Sequence, residues 1–302
     1  MADFDSRTVQ HDIDAPVGLV AAKTLRKRFD AVWNALRAAC AVPDQAEHVH
    51  QLRVATRRAL AAIEVFRNCV PGKRREWLEK RLRRLRKAAG EARDLDVLTE
   101  RLEHDASAHV RGRLAAMLAK QRFRSHAPIR REMERCLDDE WESHVESLLE
   151  QVRVRRRQTA FKTHARRTLK SMIETFFSKA DRKLRDDDDI HALRIEGKKL
   201  RYALEIFSCA LPRHAEARCR NALEKLQATL GDFTDHAAAA DRFSRWAHGP
   251  DAGPHGPLLV ALWQQEDRRA DRARKAFCKW WNPSRRRALK RRFERTLRHR
   301  SA

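Results

Sequence analysis

His191–Phe207 reads HALRIEGKKLRYALEIF, and 141 residues earlier His50–Phe66 reads HQLRVATRRALAAIEVF. In the later stretch Leu193, Leu200, Ala203, Leu204 and Phe207 recur at helical spacing. Leu52, Ala59, Ala62, Ile63 and Phe66 do the same in the earlier one. Apolar residues at i, i+3, i+4 and i+7 line one side of a helix, so each stretch reads as an amphipathic helix with a core-facing stripe. The correspondence runs on without a gap through Pro71 and Pro212, Leu82 and Leu223, Leu85 and Leu226, Gly90 and Gly231, to Asp94 and Asp235. Eleven of the 45 positions from 50 to 94 are identical at this offset, and the differences are conservative, as in Val54 to Ile195 and Arg57 to Lys198. Self-similarity at one fixed offset is the mark of a duplicated structural unit.

Working outward, the rest of the chain is also helical in pattern. Asp14 and Pro16 read as cap and first-turn proline of a helix from Val17 to Val42. Asp44 with Glu47 reads as a capping box opening the next helix, which runs to Pro71-Gly72. A third begins at Lys73. Two more are expected between about residues 106 and 158, broken near Ala127-Pro128, and another runs from about Thr159 to Leu184. The run Asp186–Asp189 suits a helix start, where carboxylates complement the dipole. Helices to Leu211, to Trp246 and from Leu258 to Trp281 follow, with GPDAGPHGP as the clearest loop. With 9 Gly and 9 Pro in 302 residues and no apolar alternation, β-structure is not expected. The fold expected is all-α: two pseudo-symmetric four-helix bundles of long antiparallel helices. They would form a single domain over residues 14–281, made of repeats at about 14–150 and 155–281. Residues 284–302, with nine Lys or Arg between Arg285 and Arg300 and Glu294 as the one acid, read as a separate basic helix or tail.

Charge narrows the function. Sixty-six Lys and Arg against 42 Asp and Glu leave a net +24, which draws polyanions: nucleic acid, anionic membrane or condensed phosphate. His191, Arg194, Lys198 and Arg201 share one helix face, and His50, Arg53 and Arg57 share the matching face of the first copy. A single basic row on so basic a chain is ordinarily a solvated face. Here the pattern occurs twice in register with no carboxylate at the intervening i, i+4 positions, so the rows are expected to meet an external anion across a positive groove.

The series HQLRVATRR, Leu82, Leu85, Gly90, Arg93-Asp94-Leu95-Asp96, HALRIEGKKLRYALE and LEKLQATLGDFTD resembles the CHAD domain, an all-helical module of two homologous four-helix halves. The resemblance covers about Asp14 to Trp281. It implies non-enzymatic binding of inorganic polyphosphate, with association to polyphosphate granules, through basic side chains lining a central cavity or pore. By motif match it assigns this role to His50, Arg53, Arg57 and Arg58 in the first half and to His191, Arg194, Lys198, Lys199 and Arg201 in the second. Arg84 and Lys225, which match across the repeat, and Lys23, Arg26, Arg166, Arg167 and Lys170 are weaker candidates. Successive phosphates suit guanidinium forks and ammonium point charges.

Other chemistry finds little support. The ExExK signature of the triphosphate-hydrolysing barrel sometimes joined to this module is absent, as are P-loop, GxSxG, HExxH and GxGxxG patterns. His11-Asp12 has no second histidine pair. No cofactor or metal is expected, and no enzymatic activity. The six cysteines form no CxxC pair and read as reduced apolar residues. MADFDSRTVQHDID lacks the features of a signal peptide, and no apolar run approaches a membrane span, so a cytoplasmic protein is expected. The runner-up function is nonspecific DNA or RNA binding through the same charge and the basic tail, with granule-associated proteins as further partners. One tyrosine and no aromatic residue within the rows argue against base stacking.

Overall fold

The computed structural model describes residues 12–43, 45–105, 107–155, 158–181, 184, 186–250 and 252–298. Amphipathic stripes dictate its architecture. Among the described residues the regular elements are helical throughout: α1 (Val17–Ala41), α2 (Ala46–Val65), α3 (Gly72–Asp105), α4 (Ala108–Asp138), α5 (Trp141–Val154), α6 (Phe161–Ala180), α7 (Asp187–Ile206), α8 (Arg213–Ala247), α9 (Gly256–Trp280) and α10 (Pro283–Arg298), with 3-10 turns at Ser208–Ala210 and Gly253–His255. The bounds of α7 fall 141 residues after those of α2, and α6, α8, α9 and α10 follow α1, α3, α4 and α5 at nearly the same offset.

The chain divides into two packed units, Pro16–Gln158 and Thr159 onward, the latter joined by the segment ending at Ala15. In the N-terminal unit α1 packs on α2, α4 and α5, and α3 packs on α2 and α4. Leu25, Phe29, Leu36, Leu52, Ile63, Phe66, Leu82 and Leu148 fill its interior. Gly18 permits the contact at one end: a Cβ there would lie 2.2 Å from the Arg155 carbonyl oxygen, so only glycine lets α1 meet the end of α5. In the C-terminal unit α7 packs between α6 and α8, α8 pairs closely with α9, and Phe161, Phe176, Leu193, Phe207, Leu223 and Leu226 form the core. Both stripes expected from the repeat are buried.

Several expectations are corrected. Among the described residues each unit carries five α-helices rather than four. The fifth in the C-terminal unit is α10, whose Leu289, Phe293 and Thr296 are buried against α8 and α6. Phe293 meets Phe177 edge-on, and Arg166 donates to the Leu297 carbonyl at 2.9 Å. The basic segment is therefore an integral helix as far as it is described, because three residues at i, i+4 and i+7 suffice to seat it. Pro128 does not break the chain. It lies inside α4, since Leu114 and Met117 before it and Ile129 and Cys136 after it continue one buried stripe in phase. The break comes at Glu140, in the left-handed conformation with φ of 49°. Helix α6 ends at Ala180, four residues early. Asp14 does not cap α1; Pro16 holds the N-cap position, and Asp14 pairs with Lys162. Asp44 and His11 lie outside the described residues. The Asp186 side chain accepts from the Asp189 amide at 2.9 Å, capping α7 as its sequence implied.

Candidate anion-binding site

Burial of Leu52, Ala59, Ala62 and Ile63 turns the His50, Arg53 and Arg57 row of α2 toward α3. Arg53 Nη1 donates to the Gly90 carbonyl at 2.9 Å and to Asp94 Oδ1 at 3.1 Å. A Cβ at Gly90 would sit at ordinary contact, 3.5 Å from Nη1, so this approach does not require glycine. The Arg53 side chain is 17% exposed, and burial, with Arg57 and Arg93 nearby, lowers its pKa despite the opposing pull of Asp94. Burial also lowers His50, followed by the charges of Arg93, Arg57 and Arg53, against Glu47. The Arg86 guanidinium is lowered by partial burial and then by Arg57 and Arg83. His50, Arg53, Arg57, Arg86 and Arg93 thus form one cluster across α2 and α3 in which the charges oppose one another. A neighbouring negative charge would relieve that mutual repulsion.

In the C-terminal unit the corresponding row on α7 is less concentrated. His191 is exposed, and Arg194 and Lys198 are half-buried. Lys199 Nζ lies 3.0 Å from Glu196 Oε1, which also accepts from Lys179 at 3.1 Å. Burial would push the Glu196 carboxyl up, but the two ammonium groups outweigh it and hold it below the ordinary value. Arg201 donates through Nε to Gln227 Oε1 at 3.2 Å, and its Cζ stands 4.6 Å over the Tyr202 ring. Gln227 occupies the place that Arg86 holds at the 141-residue offset. Carboxylates from outside the rows nonetheless engage two of the candidates, Arg53 and Lys199. Glu196 lies three residues back on the same helix, and Asp94 comes from the neighbouring one.

The weaker candidates disperse. Arg84 lies on the opposite face of α3 from Arg86 and Arg93, lining a shallow cleft of about 320 Å³ with Lys87, Arg131 and Arg135. Lys225 is exposed on α8, away from the Gln227 face. Arg26 pairs with Glu146 of α5, Arg166 serves the end of α10, and Lys23, Arg167 and Lys170 are exposed. Arg58 is half-buried on α2. Arg86 and Arg93 were missed as site residues. Their spacing with Gly90, at i, i+4 and i+7, put all three on one face of α3, and that was the available signal.

Among the described residues no group of three His, Cys, Asp or Glu side chains is placed to hold a metal ion, and no helix is long and apolar enough to cross a membrane. No curated protein matches the chain. Among solved structures, the CHAD domain from the plant Ricinus communis matches with a TM-score of 0.73 at 20% identity, over 97% of this chain and 96% of that one. PptA from Streptomyces chartreusis matches with a TM-score of 0.63 at 17% identity, over 88% of this chain and 99% of that one. At these identities the likeness is one of fold. The CHAD domain sequence profile matches residues 23–244 and so takes in both copies of the repeated helix: the chain belongs to the CHAD domain family.

Proposed function

We propose that the protein binds inorganic polyphosphate without turning it over, and that this binding places it at polyphosphate granules. The observation that carries the reading is the cluster on α2 and α3, where burial and mutual repulsion depress His50, Arg53 and Arg86 together. A polyphosphate chain brings a closely spaced series of negative charges without bases, so it can follow a face one side chain wide. Each phosphate would relieve repulsion already built into the folded chain and release its own counterions. Arg57, Arg86 and Arg93 are the expected direct contacts, with His50 donating once protonated. Arg53, engaged by Gly90 and Asp94, is the positioning residue that ties α2 to α3. Arg194, Lys198 and Arg201 extend the reading to the second copy.

The test is competition between long-chain polyphosphate and duplex DNA at about 150 mM salt, where nonspecific contacts largely fail. Polyphosphate is expected to win by orders of magnitude, and a combined Arg57→Gln, Arg86→Gln, Arg194→Gln, Lys198→Gln chain to lose that advantage with its helicity intact. Equal competition would favour nonspecific nucleic-acid binding instead. Steady phosphate release with added magnesium would overturn the binding-only reading.

A further inference from the structure

Helix α4 has two apolar faces. Leu114, Met117, Ile129 and Cys136 are buried in the core, and about a quarter turn away Ala115, Leu118, Ala119 and Phe123 form a second stripe. Phe123 is 75% exposed, more than any other large apolar side chain among the described residues. With Thr99 and Leu102 of α3, this stripe borders a cavity of about 750 Å³. Three arginines mark its length, Arg111, Arg122 and Arg130, while Glu103 is the one acid among the described lining residues. Arg111 Nη1 donates to the Glu103 carbonyl at 3.3 Å, tying the two helices at one end. Arg122 Nη2 lies 3.3 Å from Asp96 Oδ1, whose side chain is 4% exposed. In the C-terminal unit the residue 141 positions after Leu118, Leu259, is wholly buried.

We propose that this trough docks an acidic amphipathic helix of a partner protein. The span from Arg111 to Arg130 is roughly 28 Å at 1.5 Å per residue, the length of a five-turn helix rather than of a compact ligand. Ala115 and Ala119 let a helix axis come close, Leu118 and Phe123 offer anchors, and the arginines meet carboxylates along the rim. A second copy of this chain would bring like charge, +24 on each molecule, to the same face. The trough uses none of the residues of the α2 and α3 cluster, so the proposal stands apart from the anion-binding reading and adds a means of recruiting an acidic protein.

The probe is a fluorescein-labelled 21-residue peptide with leucine at i, i+3, i+4 and i+7 and glutamate elsewhere, titrated with the full chain at about 150 mM salt. It is expected to bind at least tenfold more tightly than a scramble of the same composition or a version with lysine for glutamate. Phe123→Asp is expected to weaken it about tenfold or more, whereas Val154→Asp, at a position 53% exposed on α5, leaves it unchanged. Equal binding of the scramble, or indifference to Phe123→Asp, would mean bulk charge alone and overturn the proposal. So would a dimer in sedimentation that Phe123→Asp dissolves, or an oleate adduct in native mass spectrometry that the same change removes. Unchanged melting and unchanged polyphosphate affinity of the Phe123→Asp chain separate failure here from failure of the anion site.

Discussion

Replacing Arg57 by glutamine is expected to raise stability and lower affinity at once. Arg57 is half-buried on α2, and its charge acts against His50, Arg53 and Arg86. Like-charge neighbours on helices destabilise by about 0.2–0.5 kcal/mol each, so relieving the two that are charged at neutral pH, Arg53 and Arg86, contributes up to about 1 kcal/mol. For units of this size that corresponds to a rise in Tm of roughly 2–4 °C. Glutamine keeps most of the side-chain length, so packing changes little. For binding the sign reverses. A hydrogen bond to a charged group contributes about 1.5–3 kcal/mol, so affinity for polyphosphate should fall roughly 10- to 100-fold. The slope of log K against log salt should become shallower by about one unit. Calorimetric melting at low ionic strength gives the first quantity, titration of labelled polyphosphate across a salt series the second, and the imidazole resonances of His50 should report a pKa moving up toward its ordinary value. Opposite signs are what a residue kept for binding at the expense of stability produces. A fall in both Tm and affinity would make Arg57 a structural partner, and no change in either would make its row a solvated face; either result refutes the reasoning.

His50 is expected to make polyphosphate binding pH-dependent. Its imidazole is held below the ordinary 6.5 by burial and by Arg93, Arg57 and Arg53, so as pH falls below that value the unfolded chain takes its proton first and stability is lost until the folded group also protonates. A bound polyanion reverses the local field, so binding takes up a proton and affinity should climb between about pH 7.5 and 5.5 in the parent but not in His50→Gln. Titration calorimetry in two buffers of different ionisation enthalpy reads the proton, and a flat profile in the parent would sink the idea. Phe293 is 1% exposed, so Phe293→Ala should cost about 3–5 kcal/mol and lower Tm by roughly ten degrees, whereas Arg295→Gln on the exposed side of α10 should melt with the parent. A Phe293→Ala chain that melts unchanged would return α10 to the status of an appended tail.

Much of this molecule is legible in one dimension. The stripes on α2 and α7, the fixed offset between them and the scarcity of glycine and proline specify helices, because a helix's faces follow from its period alone. The same arithmetic puts His50, Arg53 and Arg57 in one line, and Asp186 ahead of α7 reads as a cap for the same local reason. Pro128 shows the limit of local signals. A proline loses one hydrogen bond and crowds the preceding turn, yet a buried stripe in phase on both sides retains the helix, and the break falls at Glu140 instead.

The amino-acid sequence by itself determined the all-helical class, the self-similarity at an offset of 141 residues, the family resemblance and which side chains of α2 and α7 lie in a row. Only the tertiary structure decided what those rows face: Gly90 and Asp94 engaging Arg53, Arg86 and Arg93 completing the cluster, Gln227 standing where a second arginine would be, and α10 seated on α6 and α8. Helical periodicity fixes neighbours within three or four residues, whereas Arg53 and Asp94 are 41 residues apart and Cys219 and Thr296 are 77 apart. Contacts at such separations are set by how two helices cross and how deeply each is buried, and that depends on the packing of every stripe at once.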